Sequence, residues 1–336
     1  MNSELETIAK KNVQDILRYA IEYTNLSRAL IVYDDQFGLT NILLRAYRQV
    51  IPDAIYINFD TTPKEEILAN ISKMQENDLV ILIQSGSFRL DEFRIRLHLF
   101  NKGLRVIEHT HLHRNTEDTW KVYLDSLAYD PTWYRTTGPA LQQKLAHTQT
   151  LQIQYQNTEL IITGGLEHPK LNIGDYSGMK NIGGTFPIGE VFTEGKDFSR
   201  INGSLMLYGI AGTDFCIQTH TPFRVDFQEG LVVDWDENTP KHFIDTISSI
   251  KEKERPLLRE LGFGLNRAIT LEHHMQDITA FERILGLHCS LGEKHSVYKK
   301  PGITSDKARF HVDVFPMVDV VLADGEPIFK KGTYLL

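Results

Sequence analysis

Apolar residues follow two different rhythms along this chain. In the first half, short runs rich in Ile, Val and Leu at 28–33, 54–59, 79–83 and 105–108 alternate with stretches such as 39–50 and 64–73, where apolar positions recur every three or four residues. Continuous apolar runs suit strands covered on both faces, and the helical rhythm between them suits amphipathic crossovers, so this half predicts a parallel sheet with crossover helices. From about residue 151 the texture changes to glycine-punctuated strand-like segments at 151–155, 159–163, 204–208, 215–219 and 230–234, with one helical passage over 241–254. Near the C-terminus, 318–322, Ala323-Asp324-Gly325-Glu326 and Pro327-Ile328-Phe329 read as a hairpin about an Asp-Gly turn. The expected fold class is α/β: a Rossmann-like N-terminal domain over residues 1–150, then an α+β, β-rich domain over residues 151–336 that carries the chemistry.

The first strand is followed by no Gly-x-Gly-x-x-Gly, and no Walker Gly-Lys-Ser/Thr occurs, so the sheet gives no ground for a nucleotide. Asp34, Asp35 and Ser85-Gly86-Ser87 do fall at strand ends, where open sheets place ligands. His109, His111 and His113 alternate, which on a continuing strand puts them on one face; a polar face along a cleft is the simpler reading of that pattern than a metal site.

Composition narrows the classes. The 336 residues are 41% hydrophobic, enough for two modest cores, and carry a formal net charge of −8. With a sequence pI near 5.9 the chain lacks the concentrated positive surface that nucleic acids and anionic membranes select. No apolar run is long enough to span a bilayer, and Met1-Asn2-Ser3-Glu4-Leu5-Glu6 has no signal-peptide pattern, which sets a cytoplasmic expectation. Cys216 and Cys289 are too few for a disulfide framework and read as buried thiols.

Candidate chemistry gathers late in the chain. Glu190 stands in Gly189-Glu190-Val191-Phe192-Thr193, and Glu260, His288, His311 and Asp313 follow. Two imidazoles and three carboxylates supply the donors that zinc, cobalt, manganese or iron accept, with charge enough for two divalent ions. In Phe310-His311-Val312-Asp313-Val314-Phe315 the alternation reads as a strand with His311 and Asp313 on one face. Glu260 opens Leu261-Gly262-Phe263-Gly264-Leu265-Asn266, whose glycines permit tight turns beside a ligand, and His288 ends the apolar stretch 280–287. A lone His-x-Asp is more often a surface pair; the five residues together point to metal-assisted hydrolysis. Glu272, Glu282 and Glu293 lack such support and read as solvated.

These segments resemble a known family, the dinuclear metalloaminopeptidases of the thermophilic aminopeptidase T and aminopeptidase S type. The likeness rests on Asn157-Thr158-Glu159-Leu160, Pro187-Ile188-Gly189-Glu190-Val191-Phe192-Thr193, Glu260 to Asn266, Leu285-Gly286-Leu287-His288, His311-Val312-Asp313 and Ala323 to Phe329, in the same order. It implies that Glu190, Glu260, His288, His311 and Asp313 each bind metal, holding two divalent ions (Zn, Co, Mn or Mg), that the substrate is a peptide or small amide, and that the chain forms a homodimer. Glu190, Glu260 and Glu194 are the candidate proton acceptors. The family places a catalytic tyrosine seven residues after its first ligand histidine; this chain has His295 there, with Tyr298 three residues on, and either is a candidate donor to a tetrahedral oxyanion. A related branch, the iron-dependent 2,5-dihydroxypyridine ring-cleaving dioxygenases, keeps the His-x-Asp pair but has a histidine at the position of Glu260 and no glutamate matching Glu190. A mononuclear-iron dioxygenase and a catalytically silent relative are the alternatives to the aminopeptidase.

Overall fold

Ala29 to Val32 are buried without exception because β1 (Ala29–Tyr33) lies inside a parallel sheet. The computed structural model describes residues 2–24, 26–90, 93–304 and 307–336. Helix α1 (Asn2–Asp15) continues into a π-helical turn and precedes β1, α2 (Gly38–Val50), β2 (Ile55–Asn58), α3 (Lys64–Lys73) and β3 (Leu79–Ile83). A two-residue pair, β4 (Arg89–Leu90) and β5 (Phe93–Arg94), leads to α4 (Ile95–Asn101), β6 (Arg105–His109), α5 (Trp120–Ser126) and α6 (Pro131–His147). Alternate residues explain the layering. Leu30, Val32, Val80, Leu82 and Val106 form one core with Ile67 and Ile71 of α3 and Ile95 and Leu99 of α4. Ile31, Ile81 and Ile107, on the opposite face, are equally buried.

The later strands are β7 (Thr150–Tyr155), β8 (Thr158–Thr163), β9 (Lys170–Asn172), β10 (Gly183–Thr185), β11 (Glu190–Glu194), β12 (Ile201–Ala211), β13 (Ile217–Gln228) and β14 (Leu231–Trp235). After α7 (Lys241–Lys251) come β15 (Leu258–Gly264), the single turn α8 (Ile278–Phe281), β16 (Gly286–Leu291), β17 (Val312–Pro316), β18 (Val320–Ala323), β19 (Glu326–Lys330) and β20 (Thr333–Tyr334). β10 joins the first sheet, whose order is β10-β6-β3-β1-β2 with all neighbours parallel. Counted in chain order that is 2-1-3-4-5, a parallel α/β sheet with one reversal of order, which bears out the expected α/β class without the Rossmann-like detail. Asp34, just past β1, accepts the Ser85 amide at 2.6 Å, tying together the two loops at the order's switch point.

The second sheet is large, curled and antiparallel, with β12 pairing β8 and β17 on its main path and β13 beside it. Contacts divide the chain into residues 1–134, 174–189 and 267–281, and residues 135–173, 190–266 and 282–336, where the sequence reading draws one cut after residue 150. The expected Asp-Gly hairpin is present between β18 and β19. No helix among the described residues is long and apolar enough to cross a membrane.

Candidate metal centre

Four adjacent strands of the antiparallel sheet, β17-β16-β15-β11, carry four of the five residues expected to bind metal, with His311 immediately before β17. Register aligns them. Gly262 of β15 stands opposite His288 of β16, and Gly264 opposite Glu190 of β11. A Cβ at Gly262 would meet His288 Cε1 at 2.0 Å, and one at Gly264 would meet the Ile284 carbonyl at 1.9 Å. These glycines therefore serve close approach within a strand, not the tight turns expected from the sequence. On its β16 side β15 is irregular between Leu258 and Leu261, and the Ser290 hydroxyl accepts the Glu260 amide there at 3.1 Å.

Glu190 Oε1 and Glu260 Oε1 each lie 3.4 Å from His288 Nε2. All three residues are buried, and their candidate ligand atoms fall within 4.8 Å of one another. A second group of the same tightness joins His288 to Asp313 and Glu282. His311 lies with Nε2 3.3 Å from Asp313 Oδ1, and its Nδ1 is 3.0 Å from the Lys294 carbonyl. Burial opposes charge on His311, but Asp313 and the Lys294 carbonyl raise its pKa to about 10, so the ring holds a proton on Nε2 that a bound ion would replace.

Glu282 is the member that sequence reasoning missed. It reads as solvated by pattern, yet burial drives its carboxyl up to about 8. Beside it, Arg283 is 7% exposed, with NH1 2.5 Å from Glu190 Oε2 and NH2 2.8 Å from Glu282 Oε1. The available signal was a charged pair, Glu282-Arg283, inside the otherwise apolar run 280–287. Glu293 is also not solvated: it pairs with Arg255 at 2.5 Å. Burial raises the pKa of Glu190 against the pull of Arg283 and His288. Burial likewise opposes charge on His288, but hydrogen bonding to Glu260 and the field of Glu190 hold its pKa up at about 9. In return His288 and His295 outweigh burial at Glu260 and hold its carboxyl low.

His295 and Tyr298 separate clearly. The Val297 and Tyr298 amides approach His295 Nδ1 at 3.1 and 3.3 Å, so Nδ1 accepts and the ring proton sits on Nε2, 2.8 Å from Glu260 Oε2. Tyr298, the other candidate donor, has its hydroxyl against the backbone carbonyls of His168 (2.8 Å) and Phe192 (3.2 Å), and burial pushes its pKa up. In this geometry it is an anchor of the loop. Glu194 is also removed from the candidate bases: it is fully buried and bound at 2.8 Å to Arg259, itself 1% exposed.

His109, His111 and His113 do not share a strand face. β6 stops at His109, His111 takes φ 55°, and a 3₁₀ turn over Leu112–Arg114 follows. Cys289 is buried as expected, whereas Cys216 is only partly so.

The donor set fits a divalent cation. Carboxylates of Glu190, Glu260, Glu282 and Asp313 crowd one imidazole and one guanidinium, and both Asp313 Oδ1 and His288 Nδ1 are buried without a hydrogen bond among the described residues. Carboxylate oxygens and an imidazole nitrogen gathered in this way are the donor types a divalent cation takes.

No protein-family profile matches the chain, and no curated protein sequence does either. Solved structures do. A 2,5-dihydroxypyridine dioxygenase from Pseudomonas putida KT2440 superposes with a TM-score of 0.66 at 13% identity, covering 100% of this chain and 98% of its own. Wild-type AmpT, aminopeptidase T, from Thermus thermophilus superposes with a TM-score of 0.59 at 11% identity, covering 99% of each. At such identities the likeness is one of fold, and it runs the full length of both neighbours.

Proposed function

We propose that this chain is a metal-dependent hydrolase of the aminopeptidase type, cleaving the N-terminal residue from a peptide or a related small amide. The observation that carries the reading is the convergence of Glu190 Oε1 and Glu260 Oε1 on His288 Nε2, each at 3.4 Å, in a buried pocket of negative charge. Glu190, Glu260 and His288 would hold the ion, with Asp313 and His311 completing its surroundings. The chemistry a divalent cation would supply there is a water of lowered pKa and a polarised carbonyl. Glu260 Oε2, the oxygen facing His295, would be the acceptor for a proton released there. His295 Nε2–H, released from Glu260 Oε2 as that oxygen takes up its proton, would donate to the developing oxyanion, in the place where the resembled family has a tyrosine. The anionic surplus around the cluster favours a substrate with a free α-ammonium group.

The ring-cleaving dioxygenase reading has one observation in its favour: Arg283 already binds Glu190, which leaves fewer donors for cations. Against it, each of the two candidate groups offers one imidazole and two carboxylates, whereas mononuclear iron oxygenases favour two imidazoles and one carboxylate. The test is hydrolysis of aminoacyl 4-nitroanilides by protein stripped with chelator and reconstituted with Zn²⁺, Co²⁺ or Mn²⁺, run beside an oxygen electrode with Fe²⁺ and 2,5-dihydroxypyridine. Metal-restored hydrolysis that disappears in His288→Ala supports the proposal. Oxygen uptake without hydrolysis would sink it.

A further inference from the structure

The resemblance implies two ions, but Glu190, one of the residues they would draw on, is already paired with a cation in this chain. We infer that Arg283 stands in for a second cation, so that the centre holds a single divalent ion; the inference rests on the metal-dependent reading above. Glu190 presents one oxygen to His288 and the other, Oε2, to Arg283 NH1. The same guanidinium binds Glu282 Oε1 through NH2. Arg283 thus pairs, from inside the cluster, with two of the four carboxylates that a pair of metals would draw on. A guanidinium keeps its charge at every accessible pH, so this is a permanent occupant and not a proton-dependent one.

Two further features point the same way. Both clusters of candidate ligand atoms, Glu190-Glu260-His288 and Glu282-His288-Asp313, share His288, so two ions would have to draw on the two nitrogens of a single ring. The backbone also fixes Arg283 in place: its carbonyl accepts the Asn266 amide at 3.1 Å, and Ile284 bridges Asn266 just beyond the end of β15. Gly264 has no Cβ to block that approach. The cation is therefore held by main-chain pairing as well as by its carboxylate partners, and a mobile ion would have to displace a docked side chain.

The experiment counts ions. Full-length protein, stripped with chelator, is titrated with Co²⁺ and followed by visible absorption and by elemental analysis after gel filtration. Wild type is expected to saturate at about one ion per chain, and Arg283→Met, which releases Glu190 Oε2 and Glu282, at about two. Arg283→Lys, which keeps the charge, should remain at the wild-type count. Two ions in the wild type, or a single ion in folded Arg283→Met protein, overturns the inference. Should Arg283→Met fail to fold, the wild-type and Arg283→Lys counts decide: one ion in both supports it, two in either overturns it. No Co²⁺ bound to any variant would sink the metal-dependent reading itself, an outcome distinct from a count of two.

Discussion

Two backbone amides decide what His295 can do. Because Val297 and Tyr298 both donate towards Nδ1, the imidazole proton is confined to Nε2 and faces Glu260. In the proposed hydrolysis a histidine fixed in that tautomer would provide the donor, whereas the Tyr298 hydroxyl is given to main-chain carbonyls. Sequence could not choose between the two, since both are donors and they lie three residues apart; the difference is made by which backbone groups turn towards each ring. In the proposed hydrolysis, His295→Ala should lower kcat by about 10²–10³-fold, the usual loss for one oxyanion donor, while leaving the metal content of the protein unchanged. Tyr298→Phe should instead leave kcat nearly intact and cost about 1 kcal/mol of stability, the usual worth of one hydrogen bond. Steady-state kinetics with thermal melts on both variants checks this; equal losses of kcat in the two would refute the assignment.

At the scale of single elements, the end of β6 shows why alternation misleads when a strand stops. His109 closes the strand fully buried, with Nε2 2.9 Å from the Tyr47 hydroxyl and Nδ1 2.9 Å from that of Tyr123, which reaches the Phe186 carbonyl at 3.3 Å. Tyr47 donates to Nε2, Nδ1–H donates to Tyr123, and Tyr123 donates onward, a chain that a neutral ring satisfies. Burial accordingly lowers the His109 pKa to about 3. Below the ordinary histidine value near 6.5 the unfolded chain binds a proton that the folded protein refuses, so stability rises with pH and is lost as pH falls from about 6.5 towards 3. Between pH 7.5 and 5 the loss should be about 2 kcal/mol, read by denaturant melts, and His109→Gln should flatten that slope. An unchanged slope in the variant would show that other groups carry it. The helices and the flanking strands were legible where periodicity runs long, as at α3, whose Lys64–Lys73 span matches the rhythm read from the sequence. The turn after β6 was not, because it depends on one left-handed residue, His111, whose type does not announce it.

Across the whole molecule, the change of texture near residue 151 marks a change of sheet but not the division of contacts. Strand β10 at Gly183–Thr185 pairs in parallel with β6, so the first sheet takes its last strand from well beyond residue 150. Conversely, residues 135–147 of α6 belong with the second unit, and residues 267–281 return to the first. Local pattern reports which kind of element forms; it cannot report which sheet a three-residue strand such as Gly183-Gly184-Thr185 will join, since pairing there is set by the open edge of β6. Expressed separately, residues 1–150 would leave β6 as a parallel edge without β10, and residues 151–336 would lack all of α6 and the first residue of β7. An exposed edge of that kind invites association, and a unit missing its covering helix loses buried apolar surface. Neither fragment should therefore give a cooperative melt alone, while co-expression of the two should restore one together with metal binding. Sedimentation and circular dichroism on each fragment supply the check, and a monomeric, cooperatively melting 151–336 fragment that binds Co²⁺ would show that the single cut after residue 150 describes the molecule better than the interleaved division.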